Sequence, residues 1–272
     1  MNKSQLVEQI RSKASYLCVG LDTEKGKLPA AVMGFEDPVF EFNRRIIDAT
    51  APFAVSYKLN IAFYEQYGVE GWESLAKTLA YIPTNCFTIA DAKRGDIGNT
   101  GKMYARTFFE TYNFDSVTLA PYMGHDSISP FLEYADKFSI VLGLTSNQGS
   151  EDFQMLETPE GKLFEVVMKK VSSWGTPENI MFVVGATKAE RFEEIRTILP
   201  HHFLLVPGVG AQGGDLQSVS RSGLNAEAGL LVNSSRGILY ASSGDDFDIA
   251  AAREAQILQQ QMQALLLEKG II

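Results

Sequence analysis

Eight short apolar runs recur along the chain, each followed by a longer stretch of helical spacing, and this alternation constrains the fold more than any other feature. The runs are 16–22 (YLCVGLD), 54–59 (AVSYKL), 86–91 (CFTIAD), 116–120 (SVTLA), 139–144 (SIVLGL), 180–185 (IMFVVG), 203–206 (FLLV) and 229–232 (GLLV). They are apolar almost throughout rather than at every second residue, as strands covered on both faces are. Helical spacing fills 39–50, 70–80, 101–111, 161–171, 189–199, 214–222 and 246–267, and a further helix leads the chain at 2–12. Asp245 and Asp246 offer cap chemistry at the start of the last helix. Eight strand–helix units in 272 residues predict an α/β fold, a (β/α)8 TIM barrel forming a single domain over 1–272 with a leading N-terminal helix. The rival arrangement is a doubly wound open sheet. Segments 22–53 and 146–161 exceed a minimal connection and read as elaborated loops on the barrel rather than as a second domain.

Charge narrows the partners. Lys and Arg number 24 against 33 Asp and Glu, a net charge of −9, which argues against nucleic-acid and membrane partners, since both want a basic face. A small anionic substrate needs only a few focused cations and stays open. The first residues carry Lys3, Glu8, Arg11 and Lys13, and no run approaches membrane-spanning length, so a soluble, cytoplasmic protein is expected. Cys18 and Cys86 sit in apolar runs without a CxxC pattern, so they read as buried, inert thiols rather than zinc ligands. His125, His201 and His202 read as surface or loop residues, and no Ser–His–Asp or HExxH spacing supports a hydrolase.

A barrel carries its site at the C-terminal ends of its strands. The polar residues there are Asp22, Lys58, Asn60, Asp91, Lys93, Thr145, Ser146, Ser234, Ser235 and Arg236. In the run 89–98 (IADAKRGDIG), strand alternation puts Asp91 and Lys93 on one face, with Asp96 following in the loop. A lysine between carboxylates stays protonated, each pair at 4 Å being worth roughly 4 kcal/mol at an effective dielectric of 20. The plain alternative is an ion-pair network at the barrel rim. Lys58 on the preceding strand and Asp22 on the first extend the set to an alternating array of four charges. A lone buried ion pair tends to break even energetically, so an array of four on the site-bearing face points to chemistry.

The stretch 206–214 (VPGVGAQGG) contains the pattern GxGxxG at Gly208, Gly210 and Gly213. As a dinucleotide fingerprint it is weak, because it follows the seventh strand and no acidic residue stands where a ribose partner would. The loops after strands seven and eight are instead the usual phosphate site of a barrel, where glycine-rich backbone offers N–H donors. Arg236, just after strand eight, adds a fork-shaped partner for phosphate.

Taken together, Asp91-x-Lys93-x-x-Asp96-Ile97, Lys58 on the strand before it, the Pro207-Gly-Val-Gly-Ala-Gln-Gly stretch and Arg236 resemble the orotidine 5′-phosphate decarboxylase family. The wording of 91–100 (DAKRGDIGNT) resembles its longer bacterial branch. The likeness spans all eight strands. The DxKxxD run alone is shared with related sugar-phosphate lyases, and its combination with Lys58 and the phosphate loop is far more specific. The resemblance implies a carboxy-lyase that converts orotidine 5′-phosphate to uridine 5′-phosphate in de novo pyrimidine synthesis, with no cofactor and no metal. It implies that Asp22 and Lys58 hold the ribose hydroxyls, that Asp91 lies against the substrate carboxylate and that Lys93 delivers a proton to C6. Asp96, with Ile97 and Thr100, is implied to reach the neighbouring subunit's site, giving a homodimer with shared active sites. Gln212 and Arg236 are implied to bind the phosphate, with Pro207 in the same loop, and either Thr145 or Ser146 the pyrimidine amide. Two other readings stay open. One is a metal-dependent sugar-phosphate decarboxylase or aldolase, which resembles this chain at DxKxxD but has an acidic magnesium ligand where Lys58 stands. The other is a non-catalytic barrel that binds a phosphate ligand, which has little use for a carboxylate opposed to an anion.

Overall fold

The structure is a computed structural model and describes residues 1–209 and 215–272. Eight strands, β1 (Leu17–Gly20), β2 (Ala54–Asn60), β3 (Phe87–Arg94), β4 (Ser116–Leu119), β5 (Phe138–Leu144), β6 (Ile180–Val184), β7 (Leu204–Pro207) and β8 (Leu230–Ser234), form a closed barrel. Each pairs in parallel with its neighbours in the chain, and Leu17 beside Val232 closes β1 on β8, which decides against an open sheet. Apart from the last four residues of β3, the strands are buried almost end to end, because helices cover their outer face while side chains fill the inner one.

The boundaries move where local chemistry overrides spacing. Strand β1 stops at Gly20, so Asp22 lies beyond it, and β3 runs past Asp91 to Arg94. The leading helix is Lys3–Lys13, started by a reciprocal cap in which Asn2 and Gln5 exchange side-chain and backbone hydrogen bonds. Helix Gly98–Arg106 widens into a π-type turn at Thr107–Thr111, so the spacing read over 101–111 is two conformations. The stretch 161–171 begins in a short hairpin, Glu157–Thr158 against Gly161–Lys162, before its helix Leu163–Ser172. Likewise 189–199 divides into a 3-10 turn, Ala186–Arg191, and the helix Phe192–Ile198. Helix Leu216–Gly223 is capped by Asp215, which accepts from the Gln217 and Ser218 N–H groups. Asp246 does stand at the N-cap of the last helix, Phe247–Glu268, but its carboxylate accepts from the Ser242 hydroxyl (2.6 Å) instead of capping.

Segment 22–53 carries two 3-10 turns and the helix Pro38–Thr50, which packs on the last helix through stacked Phe42 and Phe247 rings 4.9 Å apart. The N-terminal floor of the barrel is tied by charge. Lys3 reaches Glu227 (2.7 Å) and Glu178 (3.4 Å), and the terminal amine of Met1 bonds to Asp115. His202 belongs to this floor and not to the surface: it is buried with its ring edge-on to Phe182. Both cysteines are free and buried, and burial pushes the Cys18 thiol up to about 12. Among the described residues, no helix is long and apolar enough to cross a membrane.

Candidate active site

At the C-terminal mouth of the barrel, four charges from two adjacent strands, β2 and β3, and the loop after β1 meet in sequence. Lys58, near the end of β2, donates to Asp22 Oδ1 (3.3 Å) and to Asp91 Oδ2 (2.9 Å). Lys93 donates to the other Asp91 oxygen at 2.6 Å. The chain of contacts Asp22–Lys58–Asp91–Lys93 alternates in sign, as its spacing predicts. Burial alone would pull the Lys58 ammonium down, but Asp22 and Asp91 outweigh it and hold the amine above its ordinary range. Burial likewise pushes the Asp91 carboxyl up, and the opposing pull of Lys58 and then Lys93 carries it well below the usual carboxylate range. Asp91 is therefore a fixed anion and Lys58 a fixed cation.

Asp22 is reached from the far side of the barrel seam. The Ser235 hydroxyl donates to Asp22 Oδ2 (2.8 Å) and accepts from Asn233 Nδ2 (3.2 Å). This approach requires glycine at position 20, because a Cβ there would sit 1.9 Å from the Ser235 oxygen. Nothing in the run NSSRG singles out Ser235 for this part, since its partner is 213 residues away.

The array forms one wall of a cavity of about 410 Å³. Pro207, Gly208, Asn233 and Arg236 also line it, and Phe63, Val183 and Leu205 add apolar surface. Gly208 turns the chain out of β7 with φ +96°, a conformation natural to glycine. Arg236 is exposed and has no carboxylate partner among the described residues, so its guanidinium is free for an anion. One cavity therefore offers a cationic fork, a carboxylate flanked by two lysines, and apolar surface.

Not every expected residue comes to this cavity. Asp96 bonds to the N–H of Ile97 (2.8 Å), and Ile97 and Thr100 are exposed at the start of helix Gly98–Arg106; none of the three lines the cavity. Thr145 and Ser146 follow β5 but do not line it either. The Thr145 hydroxyl is engaged with Asn147 (2.6 Å) and with Gln154, whose Nε2 donates to it at 2.8 Å. Gln212 lies outside the described residues, as do Gly210 and Gly213. Among the described residues, no group of three or more His, Cys, Asp or Glu side chains could hold a metal ion.

With this geometry established, comparison with known proteins is informative. A sequence profile described as the orotidine 5′-phosphate decarboxylase / HUMPS family matches residues 15–246. The orotidine 5′-phosphate decarboxylase of Phocaeicola vulgatus is 56% identical over 270 residues, covering 98% of this chain and 99% of that protein. The enzyme of the same name from Flavobacterium johnsoniae is 55% identical over 269 residues, covering 98% of each. Among solved structures, the OMP decarboxylase of Leishmania donovani superposes with a TM-score of 0.84 at 35% identity, over 97% of this chain and 98% of that one. The chain belongs to the orotidine 5′-phosphate decarboxylase / HUMPS family.

Proposed function

We propose that this protein is a carboxy-lyase that converts orotidine 5′-phosphate to uridine 5′-phosphate in pyrimidine synthesis. The observation that carries the reading is the fixed Asp91 anion held between two lysines, in one cavity with an arginine that has no carboxylate partner among the described residues. Relatives more than half identical over nearly their whole length carry that enzyme's name, which supports this reading over the sugar-phosphate branch of the family.

The chemistry follows from the charges. Arg236 takes the phosphate dianion, with Gln212 and the backbone around Pro207 completing that end. Asp22 and Lys58 take the ribose hydroxyls. The substrate carboxylate then lies against Asp91, an anion that cannot readily take up a proton. The C6–carboxylate bond breaks, CO₂ departs, and the electron pair stays on C6. The Lys93 ammonium stabilises that pair and transfers a proton to it, leaving a neutral amine that regains a proton from water. Phosphate binding far from C6 supplies energy for excluding water from the mouth. Either Thr145 or Ser146 meets the pyrimidine amide once the site closes on substrate. No step uses a cofactor or metal, and Lys58 opposes Mg²⁺ at the place where metal-dependent relatives carry an acidic ligand. The direct test is turnover of orotidine 5′-phosphate in excess EDTA. Full activity is expected; loss of activity restored by Mg²⁺ returns the chain to the metal-dependent reading.

The active unit is a homodimer working in the cytoplasm. Asp96, Ile97 and Thr100 do not line their own cavity, and Ile97, Met103, Tyr122 and Met123 are exposed apolar side chains on the segments that follow β3 and β4; both facts support a shared site across a two-fold axis. Lys93→Ala and Asp96→Asn are each expected to be inactive. A mixed dimer then has one doubly damaged site and one native site, so equal mixing restores about a quarter of wild-type activity. Verified subunit exchange with no recovered activity removes Asp96 from the neighbour's site.

A further inference from the structure

Strand alternation alone does not bring Lys93 to Asp91. Between Ala90 and Arg94 the pairing of β3 with β4 slips: Ala90 pairs with Val117 and Arg94 with Leu119, so four steps along β3 match two along β4. The surplus is taken up where Lys93 adopts φ +48°. That left-handed region is costly for a residue with a Cβ, and such strain persists only where the surroundings hold it.

Opposite the slip stands Thr118, fully buried in β4. Its hydroxyl accepts the Lys93 N–H (2.9 Å) and donates to Asp91 Oδ1 (3.1 Å). The Lys93 ammonium meets the same Asp91 oxygen at 2.6 Å. One hydroxyl thus joins the backbone of the lysine to the carboxylate that its side chain reaches. The flanks are fastened separately: Arg94 Nη1 donates to the Ala92 carbonyl (3.0 Å), and the Arg94 carbonyl accepts the Ala120 N–H (2.9 Å).

We propose that Thr118 is a positioning residue for the reaction, its hydroxyl holding Lys93 in the left-handed turn that returns the ammonium to Asp91. The inference rests on Lys93 being the proton donor. Without the hydroxyl, the Lys93 amide loses its acceptor and Asp91 loses a donor. The turn then relaxes toward negative φ, and the ammonium leaves its place above the carboxylate.

The test compares Thr118→Ser, Thr118→Ala and Thr118→Val with wild type, by kinetics on orotidine 5′-phosphate and by crystal structure. Ser keeps the hydroxyl, Ala removes it, and Val removes it while keeping the shape. Ala and Val are expected to lower kcat on the order of a hundredfold, the scale of misplacing a catalytic group by about 1 Å. KM should change by less than about threefold, and Ser should keep kcat within about threefold of wild type. A role in stability alone lowers the melting temperature without splitting kcat from KM. Crystals of Thr118→Ala should show Lys93 out of the left-handed region and away from Asp91, and crystals of Thr118→Ser should show neither change. A Ser variant as slow as the Ala variant, or an Ala variant with Lys93 unmoved, overturns the proposal. If Val prevents folding, the Ser and Ala pair carries the comparison. Should wild type leave orotidine 5′-phosphate untouched, the decarboxylase reading fails, while the Ala and Ser crystals still decide whether Thr118 holds Lys93.

Discussion

Lys58, buried, and Arg196, half-buried, are two cations in one barrel, satisfied in opposite ways. Lys58, at the mouth, meets two carboxylates, Asp22 and Asp91. Arg196, at the floor, meets none among the described residues, and its guanidinium donates to four carbonyl oxygens, those of Gly223 (2.6 Å), His202 (2.7 Å), Gly229 (2.8 Å) and Leu199 (3.0 Å). Burial draws the Arg196 guanidinium down to about 10, still charged at neutral pH, whereas the carboxylates hold Lys58 above its ordinary range. Both solutions satisfy a charge withdrawn from water. Carbonyl dipoles do so without adding formal charge, and they stitch the loops before β7 and β8 into a closed floor. Carboxylates add anions that a neighbouring substrate feels. The mouth therefore places fixed anions beside a substrate, while backbone carbonyls solvate the Arg196 charge at the floor.

The largest effect that probes this division is at Lys93. Lys93→Ala should lower kcat by at least about a hundredfold, the lower range for losing a general acid. It should leave the barrel folded, because the side chain is 51% exposed. A variant retaining more than that residual activity breaks the assignment of the mouth as the reactive end. Arg196→Met should do the reverse. Four carbonyls lose a charged donor, so urea unfolding should show a loss of about 3 kcal/mol. kcat and KM per folded molecule should match wild type. A tenfold fall in kcat at full folding would mean that the floor takes part in catalysis.

The sequence made one side of this contrast far easier to read than the other. The mouth is legible because charges at the ends of apolar strands stand out, and Asp22, Lys58, Asp91 and Lys93 do meet. The reason they meet is only half legible. Alternation puts Asp91 and Lys93 on one face, but the contact is made through a slipped register and a left-handed lysine, and no glycine or asparagine advertises that turn. Thr118 is invisible for the same reason, since a threonine in SVTLA is an ordinary strand former until its partner across β3 is known. The floor was hidden altogether. Arg196 sits in a helical pattern where arginine usually faces solvent, and His202 in what reads as a polar turn. Their enclosure is decided by Phe182 of β6 against His202 and by the carbonyls before β7 and β8 around Arg196, a tertiary fact with no local signal.

The smallest effect separates the floor from the mouth by pH. His202 is 7% exposed, and neither ring nitrogen has a hydrogen-bond partner among the described residues. Burial first, then the positive charges of Arg196, Lys3 and His201, lower its pKa to about 4. The folded protein therefore keeps His202 neutral at pH values where the unfolded chain, near the ordinary value of 6.5, already binds a proton. Stability falls as pH drops through 6.5 toward 4 and then levels off, because below 4 both states are protonated. At pH 5 the loss from this group is about 2 kcal/mol. Asp91 acts in another window: its depressed pKa adds stability that is present above its ordinary value of 3.8 and is lost only below it. Urea unfolding at pH 7 and pH 5 isolates the histidine. His202→Phe keeps an aromatic ring against Phe182 and cannot titrate, so its stability should fall less than that of wild type between the two pH values, by about 2 kcal/mol. If both proteins lose stability equally, His202 is not the floor's acid-sensitive group.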